Sequence, residues 1–140
     1  MGECVVFAID GQQYAVEIAF VRESVQVTRM TPLPGLPPAF HGLANVRGQI
    51  IPVFDLRVLF NLDQSVHRSR ETVLLLTHDS AEFGLLVDEL LGPRAIALDR
   101  LQRDIAALHE QLLRGLSADG IIVLDVAALT KALTLDEPAA

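Results

Sequence analysis

Turn signals cut the apolar residues of this chain into short runs, and that punctuation limits the folds open to it. Asp10-Gly11 and Asp119-Gly120 are Asp-Gly pairs, and Met30–Pro38 holds four prolines and Gly35. A two-residue type I′ turn needs φ > 0 at both positions, which makes Asp-Gly a strong hairpin signal. The prolines fix the shape of a loop. Between these breaks, Glu3–Ile9, Gln12–Val16, Ser24–Thr28, Ile50–Phe54 and Glu71–Thr77 read as strands, rich in Val, Ile and Leu. Glu82–Leu91 pairs back on Glu71–Thr77 across a turn at His78–Ala81, and Gly92-Pro93 ends it. Arg94–Leu98 is a further short strand, and Arg114–Ser117 pairs with Ile121–Leu124 across the second Asp-Gly turn.

Helical signals are few. Asp55 reads as an N-cap, with Leu56, Leu59 and Phe60 on one face of a short helix. Asp125 caps a second helix with Val126, Leu129 and Leu133. Ile18 and Val21 suit a single helical turn, and Leu101, Ile105, Leu108 and Leu112 predict a helix over Leu101–Leu113. Pro52 removes a ladder donor, so Ile50–Phe54 is expected at a sheet edge or bulged. Asn61–Arg70 is polar and reads as the connection between two halves; Asp136–Ala140 reads as loose. Each half contains a hairpin and ends in an apolar strand running into an Asp-capped helix. Short, turn-punctuated strands favour antiparallel barrels over βαβ units. The expected fold is mainly β: two small barrels sharing an aliphatic core, with lobes at 1–66 and 67–140 of one 140-residue domain.

Composition narrows the function. Half the residues are apolar, aromatics are 5% and Trp is absent, so the core is aliphatic. Net charge is −7, the wrong sign for a phosphate-binding surface, so nucleic acid is not an expected partner. Ten of the eleven cations are Arg, a residue suited to planar contacts at interfaces, although arginine-favouring codon usage accounts for the bias equally well. Cys4 is the single cysteine, which excludes an internal disulfide and suits a packed thiol. No secretory signal opens the chain, and no apolar run approaches the ~20 residues of a membrane span. A reduced cytoplasmic protein without membrane insertion is expected.

No chemistry emerges. His41, His67, His78 and His109 lack the spacing of a zinc set, so no metal is expected. Phosphate-binding, nucleophile-elbow and dinucleotide-binding glycine motifs are absent, so neither cofactor nor catalysis is expected. Asp55, Asp88 and Asp125 each follow a strand, where capping or turn formation explains them. What remains is Gly42–Phe60. Gly42 and Gly48 read as tight turns flanking Asn45 and Arg47, ahead of a buried strand and a capped helix. Arg47 is placed to project, either as a structural arginine bonded to loop carbonyls or as an interface anchor.

The stretch Gly42-Leu43-Ala44-Asn45-Val46-Arg47-Gly48-Gln49-Ile50-Ile51-Pro52-Val53-Phe54-Asp55-Leu56-Arg57 resembles the most specific motif of the CheW-like domains of bacterial chemotaxis, with Val46 where the family usually has Leu. The resemblance extends from about Val5 to Leu133, supported by Phe7–Tyr14, Val21-Arg22-Glu23, Gly84–Asp88 and Ile121–Val126. It implies two five-stranded, SH3-like barrels around a common core. It also implies an adaptor that couples the cytoplasmic tips of methyl-accepting chemoreceptors to the regulatory domain of the histidine kinase CheA, recruited to membrane receptor arrays. Val21, Glu23, Asn45, Arg47, Gly48, Val73 and Gly84 match positions tied to receptor or kinase binding. In that role Val21 and Val73 supply apolar contact, Glu23 and Arg47 polar contact, and Gly84 close approach. An adaptor of a pilus-motility or other alternative chemosensory pathway is the runner-up, and a small ligand-binding β-barrel comes third. The absence of an attached receiver or kinase core favours a stand-alone coupler. At Leu101–Leu113 the family usually has an extended segment where the apolar period reads helical.

Overall fold

The computed structural model describes residues 1–35, 38–60, 71–103 and 110–134. Among the described residues, ten strands and two α-helices follow in order: β1 (Gly2–Ile9), β2 (Gln12–Glu17), β3 (Val21–Val27), β4 (Phe40–Val46), β5 (Gln49–Phe54), α1 (Leu56–Leu59), β6 (Glu71–His78), β7 (Ala81–Val87), β8 (Glu89–Ile96), β9 (Leu113–Leu116), β10 (Ile122–Leu124) and α2 (Val126–Thr134). The strands form two five-stranded sheets, one ordered β8-β1-β2-β10-β9 and the other β3-β6-β7-β5-β4. The expected mainly β, double-barrel architecture is present.

The two sheets have the same topology. Each contains a hairpin, β1–β2 or β6–β7, whose second strand pairs in parallel with the strand entering an Asp-capped helix, β10 or β5. The expected division at 66/67 does not follow this arrangement. The second sheet is built from the continuous middle of the chain, Val21–Val87, and the first from the two flanking parts. The crossovers lie at a 3₁₀ turn, Ile18–Phe20, and at Asp88. Asp88 N–H donates to Ala8 O at 2.9 Å, and its Oδ2 accepts from Asp10 N–H at 2.6 Å. The sequence contains no signal for that exchange, because it depends on pairing between strands far apart in the chain.

Apolar residues face both sides of the hairpin strands, which is why these read as unbroken apolar runs. Val5, Phe7 and Ile9 of β1 meet Leu74 and Leu76 of β6 in a core shared by the two sheets, with Leu56, Leu124, Val126 and Leu129. On the opposite face of the first sheet, Cys4, Val6, Ala15, Ile96, Ile121 and Val123 form one barrel interior. Ala44, Val46, Ile51, Val53, Val73, Leu75 and Leu86 form the other.

Several local expectations change. β5 lies inside its sheet, between β7 and β4, not at an edge. Pro52 is accommodated because pairing with β7 begins only at Val53, and Leu43↔Pro52 is a non-hydrogen-bonded position counted from the two-residue turn. Gly42 lies within β4 rather than at a turn; a Cβ there would meet Met30 Cβ at 3.1 Å and Thr31 O at 3.2 Å. Gly92-Pro93 does not end a strand. The chain bends earlier, at Asp88, and β8 runs through Gly92-Pro93 as an edge strand, where a missing donor is tolerated. The helix expected over Leu101–Leu113 fails at both ends: Gln102 bridges Leu116, and Leu113 begins β9. Its middle, 104–109, lies outside the described residues, as do the connection 61–70 and the tail 135–140.

Candidate functional site

The hairpin β4–β5 turns at Arg47-Gly48, with φ of 51° and 87°. This is the backbone of a type I′ turn, and only the second position has the residue that adopts it without steric cost. Asn45 Oδ1 accepts from Gly48 N–H at 2.9 Å and closes the turn from below. Arg47 therefore stands at the tip in a left-handed conformation that L side chains disfavour, with 62% of its side chain exposed. Such outliers cluster at functional positions.

Arg47 Nη2 is paired with Glu23 on β3. The two meet because β3 is bulged: Val21 opposes Leu76, Glu23 opposes Leu75, and Arg22 is the extra residue. Without the bulge Val21 and Glu23 would share a face. With it, Val21 packs half-buried on the shared core. Glu23 falls on the face of Val25 and Val73 and reaches the turn. Arg22 Nε stands 3.5 Å from Glu23 Oε2, and its Nη1 donates to Gln49 Oε1 at 3.0 Å and to Glu82. Gln49 also donates to Glu82. Arg22, Glu23, Arg47, Gln49 and Glu82 thus form one exposed polar network across β3, β5 and β7.

The seven expected site residues do not lie on one surface. Glu23, Asn45, Arg47 and Gly48 come together at the turn. Val73 is 0% exposed and lines a barrel interior, where it offers no contact to a partner. Gly84 is buried beneath it, and a Cβ there would stand 2.4 Å from Val73 Cγ1. The closeness that Gly84 permits is internal. Arg22 was missed by sequence reasoning, and so were Gln49 and Glu82. Isolated charged residues carry no mark of a shared network, which only the strand order creates.

Ile50, 55% exposed, stands opposite Asn45 and adds an apolar surface beside the charges. Below the site, Asp55 and Arg57 are 5% and 6% exposed. Asp55 Oδ1 accepts from Arg57 N–H at 2.9 Å as the cap of α1 and from Arg57 Nε at 3.1 Å, while Oδ2 accepts from Nη2 at 3.1 Å. This bidentate bond to Asp55 holds the Arg57 pKa up against the lowering effect of burial. The pair anchors β5 to α1 and is too deep to meet a partner. A cavity of about 290 Å³ near Ile96, Arg100, Ser117 and Asp119 is lined by none of the seven residues. Among the described residues no group of three or more His, Cys, Asp or Glu side chains is placed to hold a metal, and no helix is long and apolar enough to cross a membrane.

Residues 3–134 match the model of the CheW-like domain. The chain is 30% identical over 106 residues to protein PilI of Pseudomonas aeruginosa, covering 76% of this chain and 60% of PilI. It is 31% identical over 85 residues to chemotaxis protein CheW of Bacillus subtilis, covering 61% and 54% respectively. The chain thus spans less than two thirds of the length of either relative. The crystal structure of the scaffolding protein TtCheW from Thermoanaerobacter tengcongensis superposes with a TM-score of 0.77 over 89% of this chain and 88% of that one, at 24% identity, and shares its fold. With the double barrel, the Asn-Val-Arg-Gly turn and a family match over nearly its whole length, this chain belongs to the CheW-like domain family.

Proposed function

We propose that this protein is a non-enzymatic adaptor that couples methyl-accepting chemoreceptors to the regulatory domain of the histidine kinase CheA. The chain works as one CheW-like unit, resides in the cytoplasm and is recruited to membrane receptor arrays. The observation that carries this reading is the Arg47-Gly48 turn: a strained, largely exposed arginine with Asn45 fixing its backbone and Glu23 against its guanidinium. Arg is enriched at binding hot spots, and backbone strain held at a surface tip suits recognition rather than stability. Glu23, Asn45, Arg47 and Gly48 form the contact surface. Val21 supports it from the shared core, and Val73 and Gly84 shape the barrel beneath it.

The test is titration calorimetry against the purified regulatory domain of CheA from the same organism, with Arg47→Ala beside the natural chain. Saturable one-to-one binding, weakened by the substitution, is expected. A flat titration with folded protein would remove the kinase from the partners. A second reading, an adaptor of a pilus-motility or other alternative chemosensory pathway, draws support from the likeness to PilI. Tighter binding to the kinase of such a pathway than to the flagellar one would select it.

A further inference from the structure

Glu23 is shared. The oxygen that meets Arg47 Nη2 also lies 3.5 Å from Arg22 Nε. The two arginines are held very differently. Arg22 is 30% exposed and is tied to Glu23, Gln49 and Glu82, so three side chains on three segments fix it. Arg47 is 62% exposed and bonds Glu23 through Nη2 alone; its Nε and Nη1 meet no partner among the described residues. A guanidinium presents five N–H groups in a planar fork suited to carboxylates. Two arginines and two glutamates make the cluster neutral as it stands.

We propose that this cluster is an exchange device for an acidic side chain of the binding partner. A partner carboxylate takes Arg47 from Glu23, and Arg22 keeps Glu23 compensated while it does so. Arg22 is thus a positioning residue: it contacts Glu23, not the partner, and it prevents binding from leaving a lone carboxylate inside the interface. Such a lone charge is costly at an interface and would repel the incoming acid. The inference rests on the reading of Arg47 as the contact residue, and its test separates the two.

Binding to the CheA regulatory domain is measured for the natural chain, Arg47→Ala, Arg22→Gln, Glu23→Gln and the pair Arg22→Gln/Glu23→Gln. Circular dichroism confirms that each is folded. Arg22→Gln is expected to weaken binding about threefold to tenfold, in the lower part of the range of couplings between neighbouring side chains. Adding Glu23→Gln restores affinity to within about twofold of Glu23→Gln alone, because no carboxylate then needs holding. A purely structural role for Arg22 would lower affinity equally in both backgrounds, and that result overturns the inference. Normal binding by Arg47→Ala overturns the reading beneath it. Loss with Arg47→Ala but none with Arg22→Gln overturns the exchange alone.

Discussion

Gly84→Ala is the most direct test of how the barrel beneath the turn is packed. The new methyl would stand 2.4 Å from Val73 Cγ1, 3.3 Å from Leu75 Cδ2 and 3.4 Å from Val53 Cγ2. An ordinary carbon contact is about 3.5–4.0 Å, so Val73 must retreat by roughly 1 Å. It has little freedom to do so: Val73 is 0% exposed, β-branched and surrounded by the barrel interior. Overpacking of this kind costs about 1–3 kcal/mol, offset by about 0.4–1 kcal/mol from the reduced freedom of the unfolded chain. The net expectation is a loss of about 1–2 kcal/mol, or roughly 3–7 °C in Tm for a chain of this length. Val73→Ala alone removes two methyls, about 1.6 kcal/mol of transfer energy at ~0.8 kcal/mol each, and leaves a cavity, for about 2–3 kcal/mol in all. In the double variant the new methyl fills the vacated space. Its loss should fall at least about 1 kcal/mol short of the sum of the two single losses. The assay is equilibrium urea unfolding followed by far-ultraviolet circular dichroism, because the chain has no Trp and only one Tyr. A Gly84→Ala protein of natural stability, or an additive double variant, would refute the packing argument. Unchanged stability with lost partner binding would return Gly84 to the contact surface.

Three further outcomes are expected. Arg47→Asn relieves a left-handed conformation worth about 1 kcal/mol and loses an exposed ion pair worth about 0–1 kcal/mol, so urea stability should hold or rise slightly while kinase-domain affinity falls. Asp55→Ala leaves Arg57 buried without its partner and uncaps α1, for a loss of about 3–5 kcal/mol; Asp55→Ala/Arg57→Met should recover much of it, and no recovery would show that the pair does more than satisfy itself. Burial raises the Cys4 thiol above its usual 9.0, helped by Glu17 and Glu3 against Arg114, and burial with Asp10 raises Tyr14 above 10.0. Both groups are neutral in the fold when protonated, and both have folded pKa values above the unfolded ones. Their contribution is therefore complete below about pH 9 and is lost as pH rises through the folded values. Thermal unfolding scans should show Tm falling above pH 9, and Cys4→Ser with Tyr14→Phe should flatten that fall.

Local chemistry in the sequence determined most of the strands, the hairpin turns at Asp10-Gly11 and His78–Ala81, and the two helix caps. Asp10-Gly11 adopts positive φ at both residues, His78–Ala81 closes a two-residue hairpin, and Asp55 and Asp125 accept from Arg57 N–H and Ala128 N–H. These features involve residues a few positions apart, so propensity and side-chain capping suffice to reveal them. The motif around Arg47 was legible for the same reason, as was the mainly β, aliphatic, two-barrel character. The exchange of chain between sheets was not. Nothing local says that β2 will lie parallel to β10, that β5 will be enclosed by β7, or that Val21–Val87 will form one sheet. The apolar spacing of Leu101–Leu113 misled at its two ends, where Gln102 and Leu113 are taken into strand pairing with residues outside the segment, which local periodicity does not register. The site divides along the same line. Arg47 and Glu23 can be picked out as residues, but their contact requires the β3 bulge, and the support of Arg22 requires side chains of β3, β5 and β7 to meet although β6 lies between β3 and β7 in the sheet. Burial decided the rest: Val73 and Gly84 belong to the barrel interior because both faces of β6 and β7 are covered, a fact that tertiary packing alone creates.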